Sequence, residues 1–506
     1  MTDLQLKPRL AGPREWAALA VLVLVVMLLA IDGTVLYLAV PSLTEDLSPT
    51  STQVLWIGDI YAFVLAGLLI TMGNVADRIG RKRLLLMGSA AFGAASVLAA
   101  LAPSAETLIA ARALLGVAGA TLMPSTLSIV RSMFLDPAQR TRAIALWSVG
   151  ATAGAALGPL VGGVLLENFW WGSVFLINVP IMVLALVGGW FLLPESRGTT
   201  GHRIDLASSA LSILAIVPLV YAVKRWIGSG PDLPVLLAAV VGLLAGWVFL
   251  RRQTRLTVPL LDVSLFRVPA FAGAVGANAL AIFAFLGLLF FFSQYLQMVR
   301  DYGPLHAGLA ELPATLASIV VIAVIGFLVT RLGAGRSIGF GLGLGALGLA
   351  GIGATAPWAS YWGLGASLVA LGLGIGIAMT LSTDSVVSAV PKERSGAAAA
   401  IAETGYELGG ALGIAVLGSL QTAMYRSRLE LPEDLGAGER ATAHESLASA
   451  LATTDDAAVI AAARDAFSSA MQMTSFVAAA LLLVAAVIAW RVIPSASAGK
   501  VHHDAA

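Results

Sequence analysis

The apolar residues of this chain come in long blocks separated by short polar connections. A helix needs roughly 20 apolar residues to cross the hydrocarbon core of a bilayer. Fourteen stretches meet that length: 16–40, 52–73, 84–102, 106–130, 143–166, 172–193, 205–224, 234–250, 270–297, 304–330, 337–356, 361–388, 396–420 and 469–492. The pattern predicts an all-α, multi-pass membrane protein with 14 transmembrane helices.

Composition agrees: 58% of the 506 residues are hydrophobic and 12% are charged. A soluble chain carries about 25% charged residues, so lipid must be the solvent for much of this surface. The first apolar stretch follows Lys7, Arg9 and Arg14. It is too long for a signal-peptide core and lacks a small-residue cleavage site, so it reads as the first span.

Lys and Arg set the expected orientation. Of 30 such residues, 22 fall on the side of the N-terminus and the even-numbered connections, 7 fall on the other side, and Arg112 lies within a span. Both termini are therefore expected in the cytoplasm, and the protein in the cytoplasmic (inner) membrane of a bacterium. The longest polar stretch, 421–468, is then an extracellular insertion, Ala-rich and acidic, expected to form short amphipathic helices. A cytoplasmic tether runs from Arg251 to Arg267.

The chain repeats itself. Residues 73–83 read Gly-Asn-Val-Ala-Asp-Arg-Ile-Gly-Arg-Lys-Arg, and 326–336 read Gly-Phe-Leu-Val-Thr-Arg-Leu-Gly-Ala-Gly-Arg. Each copy joins the second and third spans of a six-span block, which is the mark of two parallel halves. The predicted division is 1–195 for the N-terminal six-helix bundle, 196–268 for two linking spans and the tether, and 269–506 for the C-terminal bundle with its insertion.

Several motifs resemble the major facilitator superfamily, in particular its fourteen-helix drug:proton antiporters. The loop signature Gly-x-x-x-Asp-Arg-x-Gly-Arg-Lys is matched by Gly73, Asp77, Arg78, Gly80, Arg81 and Lys82. Arg-x-x-x-Gly is matched by Arg112 and Gly116. The exporter signature Gly-x-x-x-Gly-Pro-x-x-Gly-Gly is matched by Gly154, Gly158, Pro159, Gly162 and Gly163. Ile31-Asp32-Gly33-Thr34, Leu176-Ile177-Asn178-Val179-Pro180, Leu193-Pro194-Glu195-Ser196 and the run from Glu403 to Glu407 are further echoes. The resemblance is nearest to quaternary-ammonium and multidrug (Qac-type) efflux pumps, whose acids are similar to Asp32, Asp59, Glu403 and Glu407. It implies the major-facilitator fold, alternating access, and a fifth span that seals one face of the cavity.

The residues themselves point to two kinds of part. The first is mechanical. Gly73 and Gly80 are expected to allow close backbone approach, and Asp77, with Arg78 and Arg81 beside it, to form a latch that breaks as the halves rock. Gly154, Gly158 and Gly162 present a smooth face for helix packing, and Pro159 should bend their helix.

The second kind is chemical, because charges at membrane depth are expensive. At 1.5 Å per residue, Asp32, Asp59, Arg112 and Glu311 sit at one level in the outer half, with Arg112 expected to pair with Asp32. Glu403 and Glu407 share a helix face one turn apart, nearer the midplane. Two such carboxylates cannot both ionise easily in low dielectric, so they titrate as a pair. A lipophilic cation also needs aromatic walls, and Trp56, Tyr61 and Tyr406 neighbour the acids. An acid at Glu311 and the residue Ser318 both depart from the resembling pumps, and Asp384 reads as a snorkelling end charge.

These residues lead to an expectation of proton-driven efflux of lipophilic, mainly cationic drugs and dyes, such as quaternary ammonium compounds and ethidium, extending to fluoroquinolones. A dedicated exporter of one metabolite or lipid is the alternative. Enzyme and channel readings lack a supporting constellation. No P-loop, no cysteine and no metal-spaced histidines occur in the sequence. No cofactor beyond the proton gradient, no metal and no nucleic-acid partner are expected. The expected partners are lipophilic cations, protons and the bilayer, with the protein a monomer.

Overall fold

The computed structural model describes residues 10–196, 205–256, 259, 261–358, 360–390, 395–432 and 435–494. Several cations counted above (Lys7, Arg9, Arg197, Arg203, Lys392, Arg394 and Lys500) lie outside them. The described residues form helices and turns, with no strand among them.

The first bundle comprises α1 (Pro13–Leu47), α2 (Ser51–Ile79), α3 (Arg81–Ala100), α4 (Ala105–Met133), α5 (Pro137–Asn168), and the pair α6 (Ser173–Leu176) and α7 (Asn178–Leu192). Next come α8 (Leu206–Ser229) and α9 (Leu233–Gln253). The second bundle comprises α10 (Pro269–Gln294), α11 (Pro304–Leu332), α12 (Ala334–Thr355), α13 (Trp362–Ser388), α14 (Ser395–Arg428) and α17 (Ala457–Val492). Two short helices, α15 (Ala437–Glu445) and α16 (Leu447–Thr453), lie between α14 and α17. We call the side where α1 begins and α17 ends the terminal face, and the opposite side the far face.

Polar side chains punctuate the connections. Thr50, Ser104, Asp136, Asp205, Asp232 and Asp456 each accept a hydrogen bond from a backbone N–H in the first turn of the following helix, satisfying donors that have no intrahelical partner.

Twelve helices are long and apolar enough to cross a membrane, and α5 makes thirteen if its two parts, bent by 41°, count as one span. The bend sits where Pro159 cannot donate to the carbonyl of Ala155. The remaining predicted span, 205–224, falls on α8, whose apolar run is shorter: Ala207–Val223. Ser208, Ser209 and Ser212 occupy its first turns. Ser212 donates to the carbonyl of Gly67 at 3.2 Å, and Ser209 meets Thr71. The start of α8 is thus tied to α2 by polar groups.

The predicted insertion 421–468 is smaller than expected. Helix α14 continues to Arg428 and α17 begins at Ala457, so the connection proper is 429–456, with α15 and α16 inside it. Arg426, Arg428 and Arg464 lie on these two helices, which extend beyond the apolar zone.

The internal repeat is visible in backbone geometry. Gly80, between α2 and α3, has φ of 112°, and Gly333, between α11 and α12, has φ of 77°. Both lie in the left-handed half of backbone space, which glycine reaches without steric cost. The same residue therefore makes the same kind of turn in both halves.

Candidate functional site

The two bundles meet toward the far face along three seams. Between α5 and α11, a Cβ on Gly163 would collide with the backbone of Leu305, and one on Gly308 with the carbonyl of Pro159. Between α2 and α14, Gly58 faces Ile414 and Gly418 faces Leu55. Between α1 and α10, Tyr37 packs edge-on against Phe290 with centroids 5.7 Å apart. Just beyond α10, Gln297 donates to the carbonyl of Leu38 at 3.1 Å. The cavity left where α1, α2, α10, α14 and the start of α16 converge is about 50 Å³. A drug-sized ligand needs roughly 300 Å³ or more, so this cavity does not admit one.

The glycine face of α5 makes the companion contact within the first bundle. Gly150, Gly154, Gly158 and Gly162 meet Val23, Met27, Thr34 and Val35 of α1, and no Cβ would fit at Gly154 or Gly158. This draws α5 against the helix that carries Asp32.

Beneath the seal lies a buried polar network. Asp32 is fully buried and Arg112 is 1% exposed. The guanidinium donates to Asp32 Oδ2 at 3.0 Å and to the carbonyl of Ile57 at 3.1 Å. Asn178 Nδ2 donates to Asp32 Oδ1 at 2.9 Å and to Ser96 Oγ at 3.1 Å. The rings of Tyr61 and Phe175 lie 4.9 Å and 6.0 Å from Arg112 Cζ. The network thus ties α1, α2, α3, α4 and the α6–α7 region together. Gly116, one turn after Arg112, packs against the backbone of Tyr61, which explains the Arg-x-x-x-Gly spacing: the glycine lets α4 approach α2 closely enough for the arginine to reach across. Asp59 is also fully buried, on α2.

Glu403, Tyr406 and Glu407 lie on α14 and are only partly buried. By helical rotation, Glu403 and Glu407 share a stripe with Ile414 and Gly418. Those two residues touch α2 at the seam, so the acids face the first bundle toward the terminal face from the seal. Tyr37 and Tyr61 connect the levels: both lie within electrostatic reach of Arg112 and of Glu407, and Tyr37 also of Tyr406.

The structure thus brings together Asp32, Arg112 and Tyr61, with Glu407 and Tyr406 below them. Trp56 is directed elsewhere, into a peripheral cluster with Phe63, Val220, Ala411 and Ala415, against α8. Glu311 is buried in the second bundle, away from the Arg112 pair.

At the repeated loop, Gly80 packs against the carboxyl of Glu195, whose Oε1 accepts from the backbone N–H of Lys82 at 3.3 Å. The N–H of Arg81 donates to the carbonyl of Ser196 at 2.9 Å, and its side chain reaches the carbonyl of Ser128 at 3.4 Å. Arg78 is exposed, and the side chain of Asp77 lies outside the described residues. Gly73 differs from expectation: a Cβ there would rest 3.7 Å from Pro124, an ordinary contact, so close approach does not require glycine at that position.

Three contributors were not singled out from the sequence. Asn178 carried a signal, an amide at membrane depth, and Glu195 sat in a quoted run. Tyr37 carried none beyond its place just past Asp32 on α1.

The Major Facilitator Superfamily model matches residues 22–414. The chain is 46% identical over 443 residues to the multidrug efflux pump LfrA of Mycolicibacterium smegmatis, covering 88% of each chain. It is 36% identical to the methyl viologen resistance protein SmvA of Salmonella typhimurium, covering 87% of this chain and 89% of that one. Among solved structures it resembles a bacterial homolog of the human lysosomal transporter Spinster, in an inward-facing, unoccupied conformation. That likeness has a TM-score of 0.68 at 16% identity, covering 95% and 97% of the two chains, and bears on the fold alone. With its twelve or more membrane-crossing helices, its repeated α2–α3 and α11–α12 turns and these matches, the chain belongs to the Major Facilitator Superfamily.

Proposed function

We propose that the protein expels lipophilic, mainly cationic compounds from the cell in exchange for protons, with its terminal face toward the cytoplasm. The observation that carries this reading is the pair of carboxylates, Glu403 and Glu407, facing the opposite bundle below a closed far-face seal. A cation entering from the terminal face meets them with Tyr406 at hand, and an aromatic face beside an acid suits a delocalised cation.

Asp32 serves as the second acid. Arg112 and Asn178 hold its charge while the far face is closed. Tyr37 and Tyr61 span the distance from this network to Glu407, so charge at either level is felt at the other. When the halves part at the far face, protons reach the acids and neutralise them, and the cation loses its counter-charge and leaves. The excess of Lys and Arg on the terminal side supports the orientation. The names of the relatives, a multidrug efflux pump and a methyl viologen resistance protein, support a range of drugs that includes aromatic cations.

The test is ethidium efflux from energised cells, with and without a protonophore, for the native protein, Asp32→Asn and Glu403→Gln. Efflux that collapses with the protonophore and falls at least about tenfold in each variant supports the reading. A folded native protein that moves no ethidium sinks the multidrug reading and favours a dedicated exporter of one metabolite or lipid.

A further inference from the structure

The second bundle holds a buried acid whose surroundings differ from those of Asp32. Glu311 is 1% exposed, and neither carboxyl oxygen has a hydrogen-bond partner. Among the described residues no charged side chain acts on it, and the polar group facing it is the hydroxyl of Ser293. From the start of α13 the titratable group nearby is Tyr361, whose hydroxyl donates to the carbonyl of Ala310 at 2.6 Å. On its own helix, His306 stacks on Tyr302, their ring centroids 4.0 Å apart. Helix α5 offers the backbone of Pro159 and Gly163 to the preceding turns of α11. Arg112, the cation at this level, is committed to Asp32.

Two features tie Glu311 to the junction between the halves. Gly308, three residues earlier, packs directly on Pro159. Ser293 accepts a hydrogen bond from Gln297 Nε2 at 3.2 Å, and the same amide donates to the carbonyl of Leu38 at 3.1 Å in the other bundle. A line of polar groups therefore runs from Glu311 through Ser293 and Gln297 to α1. It crosses between the bundles at the level where they are closed.

We infer that Glu311 is a proton-binding site that locks the far-face seal, loaded from the solution on that face. The inference rests on the antiport reading and adds a control site to it. A carboxylate with no counter-charge and a single neighbouring hydroxyl is strongly disfavoured in a dry interior, whereas the neutral acid is tolerated. Closing the seam around Glu311 therefore selects the form that has taken up a proton. Opening the seam admits water and lets the proton return to the same solution. Glu311 gates in this way without carrying a proton across the membrane.

The chain has no cysteine, so a spin-label pair can be introduced cleanly at Phe169 and Leu309, two exposed positions beside the α5–α11 seam. Distances between the labels, measured in lipid nanodiscs across a pH series, report the sealed and open populations. The native protein is expected to leave the sealed distance as pH rises. E311Q, a permanent mimic of the neutral acid, should stay sealed, with a sealed-to-open ratio at least about tenfold above native in alkaline buffer, the equivalent of one pH unit of proton affinity. E311D should restore the titration, and Gln297→Ala should lower the sealed population at every pH. An E311Q profile that superimposes on the native one overturns the lock. If native ethidium efflux still collapses with a protonophore, only the lock has failed. If native efflux ignores the protonophore, the antiport reading has failed.

Discussion

Two arginine–aspartate pairs in this protein share the same closest contact and have opposite settings. Arg112 Nη1 and Asp32 Oδ2 are 3.0 Å apart with side chains 2% and 0% exposed, and Arg252 Nη2 and Asp205 Oδ1 are 3.0 Å apart with side chains 40% and 16% exposed. The first lies in the far-face half of the first bundle, and the second staples α9 to the start of α8 at the terminal face. Distance alone would rank them equal. Burial separates them, because removing one partner of a dry pair leaves the other charge with neither water nor countercharge, while water and salt replace much of what a half-exposed pair supplies.

The largest effect is therefore expected at Arg112. Arg112→Ala should cost about 3–5 kcal/mol of stability, seen as a large drop in the thermal midpoint of the detergent-purified protein, together with loss of transport. The comparison is sharpened by replacing both partners: Asp32→Leu with Arg112→Met should recover much of the stability, since a packed apolar pair often equals a buried ion pair, but none of the transport. If the single substitution is as mild as one at Arg252, the assignment of a dry layer beneath the far-face seal is wrong.

A smaller effect is expected at Asn178, the neutral donor to Asp32. Asn178→Ala leaves Asp32 Oδ1 without its donor, an unmet buried acceptor worth about 1–3 kcal/mol. Asn178→Asp keeps the shape and places a second carboxyl against Asp32, so it should be the worse of the two. Equal thermal midpoints for the two variants would show that a second carboxyl at this position adds no repulsion against Asp32.

The same contrast explains how far the sequence could be read. Helix positions were legible because an apolar block of bilayer length has few other folds open to it, and α8 is marginal because Ser209 and Ser212 in its first turns meet α2 while Ser208 meets α9. The Arg112–Asp32 pair was legible because one cation among several acids at one level leaves few partners. The aromatic lining was not: Trp56 and Tyr61 are five residues apart on α2, which turns them about 140° from one another, and only Tyr61 faces Arg112. Which way a helix is rotated depends on its neighbours, here α8 for Trp56 and Gly116 of α4 for Tyr61. The contacts of the repeated loop were partly legible: Gly80 and Arg81 were marked by the motif, but their partners Glu195 and Ser196 lie more than a hundred residues away.

The smallest effect belongs to the peripheral pair, and its sign can be worked out. Burial opposes the charge of Asp205, yet hydrogen bonds from the Ser208 hydroxyl and the Arg252 guanidinium outweigh it and hold the carboxyl below the usual carboxylate range. A carboxyl depressed in the folded state contributes stability that is present above its unfolded value of about 3.9 and is lost as pH falls through the folded value. Asp205 also caps α8 by accepting from the N–H of Ser208 at 3.0 Å, so Asp205→Asn removes the charge and retains a capping oxygen. A double-substitution cycle of Asp205→Asn with Arg252→Gln should give a coupling of about 0.2–1 kcal/mol at neutral pH, smaller in high salt and absent in strong acid. A coupling as large as that expected for Arg112 and Asp32 would mean that bond geometry, and not burial, sets the strength of both pairs.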